Sequence, residues 1–225
     1  MSGLAENLAR VRERMDAAAW RSGRAPGSVS LVAVTKGCGA DTIRDLVRLG
    51  VTDLGESRVQ EALPKMAVTT PDVRWHLIGH LQENKISKIL PRVFMVQSID
   101  SMRLARAVHD RALRLGRRLP VLLEVKTAPE VTKHGIPLAA AAEVFAALQG
   151  LEALDPQGLM TIGPLAAPES AIRNAFRALR LVFDRLRCGP RPPHILSMGM
   201  SGDFEIAIEE GATLVRVGSA LVHGS

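Results

Sequence analysis

The chain has 225 residues, 47% of them hydrophobic, with a net charge of +6 and a sequence pI near 10.0. That length and apolar content support one sizeable core and leave no room for two full domains. No apolar run approaches the roughly 18 residues of a membrane span, and the start, Met1-Ser2-Gly3-Leu4, lacks the basic-then-apolar order of a signal peptide, so the chain reads as cytoplasmic and off the membrane.

Leu4, Leu8, Val11 and Met15 share one face, which predicts an amphipathic N-terminal helix within residues 1–23, ended by the glycines at 23 and 27. A regular alternation follows. Apolar strands are expected at 30–35, 52–55, 74–79, 93–99, 121–126, 157–162, 194–198 and 213–217, with helical patterns between them at 40–49, 57–67, 83–90, 101–115, 137–149, 168–187 and 203–211. Ser101 is placed to cap a helix, and Gly50, Gly116, Gly150 and Gly211 fall where helices should stop. Eight strands alternating with helices predict parallel β/α units that close a single (β/α)8 barrel over 30–220. A doubly wound open sheet is the alternative, but Gly37-Cys38-Gly39 is no dinucleotide-binding fingerprint.

The basic charge does not read as a nucleic-acid surface. Arginines concentrate in 103–118 and 173–191, interleaved with Leu and Ala at helical spacing, as on solvated outer helices. Aromatics are only 3%, which leaves little for base stacking. Cys38 and Cys188 lie far apart with no metal-ligand spacing, so free thiols and no metal site are expected, with Cys38 placed beside the residue that matters most, Lys36.

Lys36 ends the fully apolar run Ser30-Leu31-Val32-Ala33-Val34-Thr35, and strand C-termini carry the ligand face of a barrel. Only six of the 29 basic residues are lysines, so a lysine there carries weight; Lys126 also ends a strand and is its rival. The stretch Ser197-Met198-Gly199-Met200-Ser201-Gly202-Asp203 follows the seventh strand. It offers two glycines, serine hydroxyls and backbone N–H groups suited to a phosphate, with Gly218-Ser219 after the eighth strand as the expected partner loop. A simple helix cap by Ser201 is the plainer reading. Arg216 interrupts the apolar strand Leu214-Val215-Arg216-Val217, where a charge needs either an ion pair or a ligand atom. A strand-end lysine, a phosphate loop across the barrel mouth and an adjacent arginine together specify pyridoxal 5′-phosphate as cofactor.

These residues resemble the pyridoxal-phosphate homeostasis proteins, a family related to the N-terminal barrel of alanine racemase and of its PLP fold type III. The resemblance covers roughly 30–220. It rests on Val32-Ala33-Val34-Thr35-Lys36, Gly55-Glu56 with Val59-Gln60-Glu61, Trp75-His76-Leu77-Ile78-Gly79 with Leu81-Gln82 and Asn84-Lys85, Glu130 with Lys133 and Gly135, Gly158-Leu159-Met160, Ser197 to Ser201 with Asp203, and Val215-Arg216-Val217-Gly218. It implies that Lys36, not Lys126, bears the Schiff base. It also implies that Ser197, Gly199, Met200, Ser201, Gly218 and Ser219 hold the phosphate and that Arg216 faces the pyridine nitrogen. Ser57, His76 and Met160 complete the set of cofactor-contact candidates. Ser57-Arg58 stands where the family commonly has Asn-Tyr, and Leu221 to Ser225 replaces its usual terminal motif.

The implied function is a monomeric carrier that buffers pyridoxal phosphate and delivers it to apo-enzymes without turnover. An amino-acid racemase or decarboxylase is the alternative. Racemisation needs a base on each face of a planar intermediate; alanine racemase takes its second from a tyrosine, and this chain has no tyrosine. His76, His80 and His134 could in principle substitute, though a buried, packed histidine is the plainer reading. An arginine at the ring nitrogen also makes the ring a weaker electron sink.

Overall fold

A computed structural model describes residues 2–128 and 134–224. Glu130 and Lys133, two residues of the family pattern, lie outside the described residues. Helix α1 (Ser2–Arg21) precedes the barrel, and Gly23, at φ +74°, turns the chain out of it. Then come β1 (Ser30–Val34), α2 (Ala40–Arg48), β2 (Asp53–Glu56), α3 (Val59–Met66), β3 (Arg74–Leu77), α4 (Ile86–Ile89) and β4 (Met95–Ile99). The second half holds α5 (Met102–Arg114), β5 (Leu119–Lys126), β6 (Ile136–Pro137), α6 (Ala141–Leu148), β7 (Leu154–Met160), α7 (Glu169–Leu186), β8 (Ile195–Ser197), α8 (Phe204–Glu209), β9 (Leu214–Val217) and α9 (Ser219–Val222).

All strand pairings are parallel, in the order β4-β3-β2-β1-β9-β8-β7-β5, and β4 pairs with β5 to close the ring. The result is the expected eight-stranded (β/α)8 TIM barrel. Two short elements were not expected: β6, which pairs only with the carboxyl end of β5 and stands outside the ring, and α9. Both are too short for hydrophobic periodicity to mark. Ser101 caps α5 as its position predicts, its hydroxyl accepting from the Leu104 N–H at 3.2 Å.

The main core lies between the strands and the helices that cover them, with residues such as Ile43, Leu54, Leu77, Leu104, Phe145 and Phe176 almost wholly buried. A separate small cluster of Met95, Leu122 and Met160 fills part of the barrel interior. Four arginines pair with acidic residues of α8 and the turn after it. Arg173 reaches Glu209 at 2.9 Å and Glu210 at 3.0 Å, Arg177 reaches Glu210, and from α1 Arg14 and Arg21 pair with Glu205 and Glu209. These pairs latch α1 and α7 onto the helix that follows the proposed phosphate loop. Among the described residues, no helix is long and apolar enough to cross a membrane.

Candidate functional site

Lys36 stands at the carboxyl end of β1 in a tight turn. The Cys38 N–H donates to the Thr35 carbonyl at 2.9 Å, and Gly37 occupies the third position at φ +75°, the geometry of a type II turn that requires glycine there. The lysine side chain is exposed. Its turn is anchored from below: the Thr35 hydroxyl donates to the Gly55 carbonyl and to Glu56 Oε1, while Lys65 of α3 donates to the Thr35 carbonyl at 2.6 Å and pairs with Glu56. Glu56 is 1% exposed, so this ion pair is buried. Cys38 is buried too, and burial raises its thiol pKa, against the nearby Lys65 ammonium, which makes it a poor nucleophile.

Beside β1 runs β9, in register Val32↔Arg216 and Ala33↔Val217, and beside β9 runs β8. The Ser197–Ser201 and Gly218-Ser219 loops therefore adjoin Lys36 on three neighbouring strands. They do not face it across the mouth, contrary to the expectation from the sequence, because strand order round the ring, not order in the chain, sets who is next to whom.

The loops are already internally bonded. Ser201 Oγ accepts from the Gly218 N–H at 3.1 Å and the Ala220 N–H at 3.3 Å, tying the two loops together, and it does not cap α8. Its own proton remains to donate. The Met200 N–H is taken at 2.6 Å by the carboxylate of Asp203, whose pKa is raised chiefly by burial. Gly199, at φ +96°, lies so close to α8 that an added Cβ would meet Ala207 Cβ at 2.6 Å. Among the described residues, the Ser201, Gly202 and Ser219 N–H groups find no backbone acceptor, and Ser219 is exposed. The donors this corner could offer an anion are therefore those N–H groups and the Ser201 and Ser219 hydroxyls. Gly199 gives the loop its close approach to α8, and Gly218 supplies the tie to Ser201.

Arg216 is 3% exposed. Its Nη1 donates to Ser197 Oγ at 2.5 Å and its Nη2 to the Thr161 carbonyl at 2.8 Å; among the described residues no carboxylate lies within ion-pair distance. Burial lowers its pKa to about 10, with Asp203 and Glu124 opposing the fall, so it is charged at neutral pH. Ser197 passes the arrangement on, donating to Gln97 Oε1 at 2.7 Å. The Ser197 hydroxyl is thus committed inside the barrel and positions Arg216; a phosphate role for that hydroxyl does not fit the geometry.

His76 and Met160 likewise belong to the interior. His76 Nε2 contacts Asp53 at 2.9 Å, at the amino end of β2, and Nδ1 meets Gln97. Burial alone would raise the Asp53 pKa, but hydrogen bonds from His76 and Arg74 outweigh it and hold the value at about 2. Met160 has no exposed surface and packs on Met95 and Leu122. Ser57, half-buried after β2, is the one of these three that stays near the surface of the mouth, its N–H bound to Glu56 Oε2.

Glu124 was not anticipated. It lies in β5 two residues before Lys126 and is 5% exposed, and burial, with the charge of Asp100, raises its pKa to about 7 against Arg216, His80 and Lys126. The signal was present in Leu122-Leu123-Glu124-Val125-Lys126, where alternation puts Glu124 and Lys126 on the face opposite Leu123 and Val125.

The profile of the family described as "Alanine racemase, N-terminal domain" matches residues 3–225. The "Pyridoxal phosphate homeostasis protein" of Aquifex aeolicus is 39% identical over 96% of this chain and 96% of its own length. The human protein of that name is 36% identical over 95% of this chain and 84% of its own. This chain belongs to the pyridoxal phosphate homeostasis protein family. A solved structure of PipY from Synechococcus elongatus "with PLP bound" is 36% identical, with a TM-score of 0.85 over 97% of this chain and 99% of that one. Alanine racemase of Clostridium difficile matches at a TM-score of 0.82 with 15% identity, over 98% of this chain and 59% of the racemase, which is a likeness of fold.

Proposed function

We propose that this protein is a single-domain, monomeric, cytoplasmic carrier that holds pyridoxal 5′-phosphate and releases it to apo-enzymes. The observation that carries the reading is Arg216: a charged guanidinium, buried and fixed by Ser197 and Thr161, on the strand beside the one that leads into the Lys36 turn. The residues fit the cofactor. Lys36 offers an exposed amine for covalent attachment of the aldehyde, and the corner formed by Ser201, Gly202 and Ser219 offers uncommitted donors to a phosphate. When bound, the cofactor supplies an aldehyde that captures amines and a ring that can accept electrons.

The chain's own groups bias that chemistry toward storage. Arginine donates hydrogen bonds and never accepts them, so a ring nitrogen placed against Arg216 keeps its lone pair and carries no proton. An unprotonated ring withdraws electrons weakly. The Thr35–Glu56–Lys65 network holds the lysine turn in place, and the Ser201 bridge joins the two loops that would grip the phosphate, so a preformed site binds without first ordering its loops.

Full-length protein loaded with pyridoxal phosphate is expected to show the visible absorption of lysine-bound cofactor and to reactivate an apo-enzyme faster than free cofactor does. Lys36→Ala is expected to lose most of the band, and borohydride reduction of the wild type to place the cofactor's mass on the peptide containing Lys36. An unchanged band in the variant, or label on Lys126, would overturn the assignment.

A second reading, an amino-acid racemase or decarboxylase, has one observation in its favour: Glu124, at a pKa of about 7, is suited to move protons near neutrality. Sustained turnover of any L- or D-amino acid by the loaded protein, abolished in Glu124→Gln, would establish it in place of the carrier.

A further inference from the structure

Three βα connections on the far side of the mouth converge on a group of side chains that the cofactor reading leaves unused. His80 follows β3, Asp100 follows β4 directly, and His134 lies between β5 and β6. His80 Nδ1 is 2.7 Å and His134 Nδ1 3.5 Å from the same carboxylate oxygen, Asp100 Oδ2. The two imidazoles stack with centroids 3.7 Å apart and planes 11° from parallel, and both turn their Nδ1 atoms toward Asp100. One ligand atom from each of the three residues lies within 4.8 Å of the others.

From this geometry we infer that His80, Asp100 and His134 form a binding site for a divalent transition-metal ion of borderline softness, of which zinc is the type. The donor set is two neutral imidazole nitrogens and one carboxylate oxygen, the chemistry that selects zinc, cobalt or nickel over magnesium or calcium. Tetrahedral coordination with bonds of about 2.1 Å sets ligand atoms roughly 3.4 Å apart. The observed 2.7 and 3.5 Å bracket that spacing, so the ion needs small side-chain adjustments, chiefly an opening of the ring stack, and no movement of the barrel.

The ion has a way in. His80 and His134 are exposed, and His80 and Asp100, the latter with 8% of its side chain exposed, line an open cleft of about 360 Å³ with Gln82, Asn84 and Ser101. Arg103, the cation on the cleft rim, is drawn toward Glu83 at 3.1 Å. Three protein ligands leave a tetrahedral ion one open position. Because each ligand comes from a different connection, the bound ion would cross-link the loops after β3, β4 and β5 on the side of the mouth remote from β8, β9 and β1.

The test is titration of the full chain with Zn²⁺ by calorimetry and with Co²⁺ by visible absorption. Expected are one ion per chain at micromolar or tighter affinity, a cobalt spectrum of tetrahedral intensity, and a loss of at least about tenfold in affinity for each of His80→Ala and His134→Ala. His109→Ala, a histidine on α5 that contacts Asp110, should bind like the wild type. Both single variants change exposed side chains, and their circular dichroism should match the wild type. Absence of stoichiometric zinc binding in the wild type, or undiminished binding in both variants, would overturn the inference.

Discussion

Replacing Lys65 with methionine tests whether the lysine turn is held by a buried ion pair. Lys65 Nζ reaches the Thr35 carbonyl at 2.6 Å and pairs with Glu56, with 13% and 1% of the two side chains exposed. Methionine fills much of the same volume and removes both interactions, leaving the Glu56 carboxylate buried. Removing one partner of a buried pair costs about 3–5 kcal/mol. Glu56 retains the Thr35 hydroxyl at 3.0 Å and the Ser57 N–H at 3.1 Å, so the lower end, about 3 kcal/mol, is expected. That is a large share of the roughly 5–15 kcal/mol by which a domain is stable. The assay is the urea midpoint of Lys65→Met beside the double variant Glu56→Gln/Lys65→Met. The double variant should recover about half the loss, because a glutamine carbonyl still accepts from Thr35 and leaves no buried charge. Since the Thr35 carbonyl belongs to the turn that carries Lys36, cofactor retention should fall in Lys65→Met as well. A loss under about 1 kcal/mol, or a double variant as unstable as the single one, would refute the reasoning.

Two further perturbations test other parts of the barrel. The raised pKa of Glu124 means the folded state prefers its protonated form; that contribution is complete below about 4.5 and is lost as pH rises through about 7. Glu124→Gln should therefore match the wild type in acid and exceed it by up to about 3 kcal/mol at pH 8, and parallel stability profiles would refute the assignment. Gly199→Ala places a Cβ 2.6 Å from Ala207 Cβ at φ +96° and should cost about 2 kcal/mol and weaken cofactor retention, whereas Gly202→Ala, whose Cβ meets nothing, should do neither. Equal stability and retention in the two alanine variants would remove the structural reason for glycine at 199.

The barrel was readable because each strand is a short apolar run closed by a turn signal, and each outer helix shows its apolar stripe. Local periodicity carries that information, and it placed all eight ring strands within a few residues. Lys36 and Arg216 were readable for a related reason: each is a charge where the pattern calls for apolar residues or a strand end. Ser197, His76 and Met160 were harder. Each sits where a ligand contact and an interior contact look alike in the sequence, and the interior partners, Gln97 and Arg216 for Ser197 and Asp53 for His76, lie 19 to 100 positions away along the chain.

By itself the sequence determined the alternation of strands and helices, the lysine that ends the first strand and the glycine–serine loops, because these are properties of short stretches with their own backbone preferences. The tertiary structure alone decided that β9 closes onto β1, bringing Arg216 and the Ser197–Ser201 and Gly218-Ser219 loops beside Lys36, that Glu56 and Lys65 meet beneath the lysine turn, and that His80, Asp100 and His134 converge. Ring closure joins segments nearly two hundred residues apart, and no local signal records which side chains that closure brings within a few ångströms of one another.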